Sequence, residues 1–94
     1  MKYTKSLLEK IEQAYLKIGY AVRYEKGSFQ SGYCMVESRK IVVVNRFFET
    51  EARISTLLDL LEKLESEGLQ IEEEETALFV RGLLHRKAAR AVES

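Results

Sequence analysis

An α+β fold is predicted for residues 1–94 as one small domain: three helices and a three-stranded antiparallel or mixed sheet, in the order α-β-β-β-α-α. Three patterns carry that prediction. Leu7, Leu8, Ile11, Ala14, Tyr15 and Ile18 recur at spacings of three and four, the period of one helix face. Ile54, Leu57, Leu58, Leu61 and Leu64 repeat the pattern later in the chain. Between them, residues 20–25 alternate in the period of a strand, and Ile41-Val42-Val43-Val44 is a short apolar run of β-branched residues.

The first helix is expected over residues 4–18. Thr4 suits its N-cap, and Gly19 suits the left-handed position just past its end. In the first strand Tyr20, Val22 and Tyr24 face one way, and Ala21, Arg23 and Glu25 the other. Gly27 to Gly32 reads as a loop, and residues 33–37 and 40–45 as a hairpin joined near Ser38 and Arg39. Thr50 is expected to cap a second helix over 51–66 that Gly68 ends, with a short extended piece at Leu69 and Ile71. A third helix over 72–90 starts on Glu72, Glu73, Glu74 and Glu75 and ends on Arg86, Lys87 and Arg90, which complements the helix dipole at both ends.

The run 41–44 bears most on architecture. Ile41 and Val43 share one face, Val42 and Val44 the other, so both faces are apolar and both need cover. As a bare edge this strand would invite aggregation. Either it is central, in the order 1-3-2, or its edge pairs with a second copy. The second case makes Val42 and Val44 interface residues and predicts that Val44→Lys weakens association.

Composition narrows the function. The 94 residues are 46% apolar and 32% charged, with fifteen basic and fifteen acidic side chains and a net charge of zero. That balance argues against a general nucleic-acid or membrane binder. No apolar run approaches the ~18 residues of a membrane span, and no secretory segment is visible, so a cytoplasmic, soluble protein is expected. Cys34 and His85 are the only cysteine and histidine. They form no intrachain disulfide and no complete zinc site, so no cofactor or metal is expected. A small core without such staples favours association, here a homodimer. Charge is segregated: residues 1–53 carry a net +4, residues 54–80 a net −7 and residues 81–94 a net +3. The middle therefore attracts both ends, within one chain or between two.

Individual motifs have plain readings. Gly27 and Gly32 have the glycine spacing of a phosphate loop, but Tyr33 and Cys34 stand where Lys and Ser/Thr are required, and a strand follows instead of a helix. Arg23 and Glu25, two apart on one strand face, make a surface ion pair or a ligand-binding pair. Cys34 reads as a core thiol or, next to a base, as a nucleophile. The four glutamates lack the spacing of a calcium loop. Arg81, His85, Arg86, Lys87 and Arg90, beside Leu83 and Leu84, make a short basic amphipathic end, a weak signal for nucleic acid.

Residues 19–45 resemble a family of small uncharacterised bacterial proteins, through Gly19, Arg23, Glu25, Gly27, Phe29, Gly32, Cys34 and Asn45. The likeness extends loosely into the helix from Glu51 to Leu64. It implies a bacterial, intracellular domain and transfers no mechanism, because that family has no established activity. A looser likeness to the front half of small zincin peptidases lacks its chemistry: the helix from Ile54 to Leu64 has no histidine. The expected function is a non-enzymatic interaction domain, homodimeric through Val42 and Val44 or through Leu83 and Leu84 of the last helix. The alternative is a small-ligand binder or enzyme using loop 27–32 with Arg23, Glu25 and Cys34, with weak nucleic-acid binding as a third reading.

Overall fold

The structure is a computed structural model that describes residues 2–26, 32–36 and 39–93, with side chains excepted at 32–36, 39 and 90–93. Loop 27–31 and the hairpin turn at 37–38 lie outside the described residues.

Helix α1 (Lys5–Lys17) opens on Thr4, whose hydroxyl oxygen accepts the Leu7 N–H at 3.2 Å. That bond satisfies one of the unpaired donors of the first turn. The helix closes at Ile18, and Gly19 follows at φ +92°, where a side chain would be strained. Leu8, Ile11, Ala14 and Tyr15 are buried, with Leu7 and Ile18 packed at the margin of the same core.

Helix α2 (Thr50–Ser66) buries Ile54, Leu57, Leu58, Leu60, Leu61 and Leu64. Its start differs from the sequence expectation. Glu49 occupies the cap with extended backbone and no side-chain cap bond, and Thr50 is already helical. The entry is held instead by Arg53, as described below. Gly68, at φ +96°, follows the helix end. The expected extended piece at Leu69 and Ile71 forms no strand; both side chains pack against the core as irregular chain. Helix α3 (Glu74–Glu93) buries Thr76, Val80 and Leu83 and packs on α1 and α2.

The sheet joins β1 (Tyr20–Glu25), β2 (Gly32–Val36) and β3 (Arg39–Asn45) in the order β1-β3-β2. The expected sheet needs correction on strand direction. A wholly antiparallel sheet is overturned, because β1 and β3 are two parallel strands, in register from Tyr20 opposite Lys40 to Glu25 opposite Asn45. Only β2 runs antiparallel to β3. With no helix between β1 and β3, the crossover that makes them parallel is the hairpin strand β2, which pairs on the far side.

Strand β3 is thus hydrogen-bonded along both edges. Val42 and Val44 are 0% exposed and lie in the core cluster of their own chain, where β3 packs on α2. The expectation that Val42 and Val44 form an interface with a second copy is therefore overturned, and Leu83, 1% exposed, is likewise spent on the core. Leu84 is half-buried and packs at the core margin.

Tyr15 joins the two helices that lie on the sheet. Its ring is fully buried, meets Tyr20 edge-on at 6.2 Å, and its hydroxyl donates to the Leu57 carbonyl at 2.5 Å. An aromatic body with its polar tip satisfied is a stable core element.

Side-chain parity along β3 has a direct test. Val44→Lys buries an unpaired ammonium, and a loss of several kcal/mol in urea unfolding is expected. Val43→Lys, one residue away on the opposite face, should keep the native circular dichroism and cost less than about 1 kcal/mol.

Candidate interaction face

The two sides of the sheet have different fates. Ladder partners share a face. Tyr20, Val22 and Tyr24 therefore lie with Val42 and Val44 under α1 and α2. Ala21, Arg23 and Glu25 lie with Ile41, Val43 and Asn45 on the other side. Ile41 and Val43 are half-buried, Ala21 is exposed, and none of the three belongs to the core cluster. Among the described residues, no helix covers this second face. Parallel pairs are ordinarily covered on both faces, and solvated sheet faces ordinarily alternate to polar residues. Ile41 and Val43, side by side on the central strand, follow neither rule.

Arg23 and Glu25 border this apolar centre. Their side chains meet at 3.2 Å, Nη2 to Oε1, at 61% and 46% exposure. That is the surface ion pair of the sequence reading, and such pairs contribute little stability. Cys34 stands opposite Ile41 in the ladder, and Gly32 opposite Val43. The Cys34 side chain and loop 27–31, the rest of the expected ligand site, lie outside what the structure describes. Among the described residues no three His, Cys, Asp or Glu side chains gather into a metal site. No helix among them is long and apolar enough to cross a membrane.

The covered face is locked by a chain of contacts that sequence reasoning missed. The Tyr24 hydroxyl donates to the Glu12 carboxylate, and the Arg53 guanidinium lies 4.3 Å from the Tyr24 ring centre. Arg53 also donates through Nε to the Phe48 carbonyl at 2.8 Å and through Nη2 to the Arg46 carbonyl at 2.9 Å. Arg46 N–H in turn donates to the Glu25 carbonyl at 2.9 Å. Asn45 Oδ1 accepts the Phe47 N–H at 2.9 Å and closes the turn into α2. One arginine thus joins β1, the β3–α2 connection and α2. Its planar fork suits several carbonyls and an aromatic face at once.

Charge segregation is used within the chain. Lys17 meets Glu73 at 3.4 Å, and Lys87 meets Asp59 and Glu62 at 3.3 Å each. Each end of the chain therefore binds the acidic middle. Lys87 is only 24% exposed and belongs to this contact, which removes it from the expected basic nucleic-acid surface. The glutamate run is a solvated helix start: Thr76 Oγ1 donates to Glu73 Oε1 at 2.5 Å.

No family model, curated protein or solved structure matches this chain.

These contacts set a pH dependence. Burial, then the hydrogen bond and charge of Glu12, push the Tyr24 phenol well above its ordinary range, against the pull of Arg53. Burial raises Tyr15 similarly, with Tyr20 adding to it. Burial opposes the Lys87 charge, but the hydrogen bonds and charges of Asp59 and Glu62 outweigh it and raise the ammonium. All three groups hold their protons more tightly folded than unfolded, so their stabilisation is complete below about pH 10 and is lost as pH rises above it. Glu73 is lowered, first by the Thr76 hydrogen bond and also by Lys17, with desolvation opposing. Its contribution is present above its unfolded value and lost as pH falls through the folded one. Urea midpoints should therefore be flat near neutrality and fall at both extremes, with Tyr24→Phe shallowing the alkaline decline. Arg53→Gln should cost about 1–3 kcal/mol at neutral pH by urea titration, through the two carbonyls left without their charged donor.

Proposed function

We propose that the chain is a non-enzymatic interaction domain, working as a homodimer, that holds a partner against the open face of its sheet. One observation carries the reading. The central strand keeps Ile41 and Val43 on a face that α1, α2 and α3 leave uncovered among the described residues. Removing those two side chains from water is favourable, at roughly 25 cal/mol for each Å² of apolar surface buried. Arg23 and Glu25 stand at the border of this apolar centre as a polar rim, the usual anatomy of a recognition surface. The paired backbones of β1 and β3 hold these side chains in a fixed register, and a surface already formed before binding lowers the cost of binding.

A photo-crosslinking residue tests the assignment. Placed at position 43 in the expressing cell, it is expected to give a discrete adduct whose mass shows a second copy or a different protein. The same residue at Leu16, an exposed apolar position on α1, is expected to give none. Equal background from both positions would count against the sheet face.

A further inference from the structure

The connection from β3 into α2 forms one wall of an aromatic recess. Tyr3, Phe47 and Phe48 line it together with Glu49 and Glu51, around a volume of about 560 Å³. Tyr3 and Phe48 pack at the core margin, whereas Phe47 is 68% exposed. A tight turn fixes the backbone of both phenylalanines. The Phe47 N–H donates to Asn45 Oδ1 at 2.9 Å, and the Phe48 N–H to the Asn45 carbonyl at 3.1 Å. A site formed before its ligand arrives binds at lower cost.

The lining selects the sign of the ligand. The chain has fifteen lysines and arginines, yet among the described residues the charged side chains lining this recess are both acidic. Tyr3 and Glu51 already make contacts within the chain, so Glu49 supplies the charge that faces a ligand. Its side chain is exposed and makes no cap bond to α2. The partial positive charge at the start of α2 opposes a cation, and the two carboxylates offset it. Aromatic faces attract cations. This chain uses that attraction twice, with Lys40 5.4 Å from the Tyr20 ring centre and Arg53 4.3 Å from that of Tyr24. Arg53 is committed there and to the carbonyls of Phe48 and Arg46, and it does not line the recess.

The form of the cation follows from hydration. A bare ammonium is strongly hydrated, and a guanidinium favours a fork of acceptors. An ammonium carrying alkyl groups keeps its charge while its methyls bury apolar surface against the rings. We propose that this recess binds an alkylated ammonium group, seated on Phe47 and Phe48 beside Tyr3 with its charge toward Glu49. The sheet face is lined by other residues, so this site stands or falls separately from it.

Nuclear magnetic resonance titration of the full chain tests the site at constant ionic strength. The probes are choline and its neutral isostere 3,3-dimethyl-1-butanol. Choline is expected to shift the amides of residues 47–49 saturably, and the isostere to bind roughly fivefold more weakly or worse. Glu49→Gln should weaken choline severalfold and leave the isostere unchanged. Phe47→Ala, at an exposed position, should keep the native spectrum elsewhere and weaken choline roughly fivefold. A short peptide carrying trimethyllysine separates the sources: tighter binding than choline assigns the group to a partner's side chain, and weaker binding to a free small molecule. Equal binding of choline and its isostere, or no saturable shift with either, overturns the proposal. So does choline binding that neither substitution changes.

Discussion

Backbone pairing along both edges of β3 sets the rest of this fold. The strand is β-branched and apolar from Ile41 to Val44, so an unpaired edge would expose main-chain donors and acceptors beside an adhesive surface. Placing it between β1 and β2 satisfies those groups inside the chain. The cost is a parallel register with β1, which requires the intervening hairpin strand to pair on the far side. Once β3 is central, Val42 and Val44 become the floor under α2, beside the β1 floor under α1. Ile41 and Val43 are then left on the other face by the strand's own alternation.

The helical layer is joined to that floor by a few polar contacts within an apolar core. Tyr15 donates to the Leu57 carbonyl of α2 within the helical layer, and its ring meets Tyr20 of β1 edge-on. Glu12, Tyr24 and Arg53 link α1, β1 and α2 at the end of the parallel pair. Among the described residues no buried side-chain nitrogen or oxygen lacks a partner. Such satisfied contacts specify one arrangement of the layers, while the bulk of the stability comes from the buried Leu, Ile and Val side chains. The long-range ion pairs of Lys17 and Lys87 play a smaller part at the surface, and they draw the basic ends of the chain onto its acidic centre.

What remains at the surface gives the molecule two distinct faces. One is the sheet side with an apolar centre and a paired Arg23 and Glu25 at its border. The other is the outer stripe of α3, with Leu78, Gly82 and a charge pattern that reverses along the helix. The first is built on the central strand, and the second lies on the last helix.

The helices were legible in the sequence because their signals are local. Thr4, Gly19 and Gly68 mark helix boundaries through hydrogen bonding and dihedral preference, and the apolar stripes of α1 and α2 match their buried faces. The alternation of β1 and the double apolarity of β3 were equally visible. Arg53 carried no such signal, since its partners in β1 and the β3–α2 turn lie outside its own helix. Strand alternation divides residues into two sets but is symmetric between them. The sequence alone therefore determined that Val42 and Val44 part from Ile41 and Val43. Only the tertiary structure decided which pair is buried, because that depends on the side of the sheet to which the helices return.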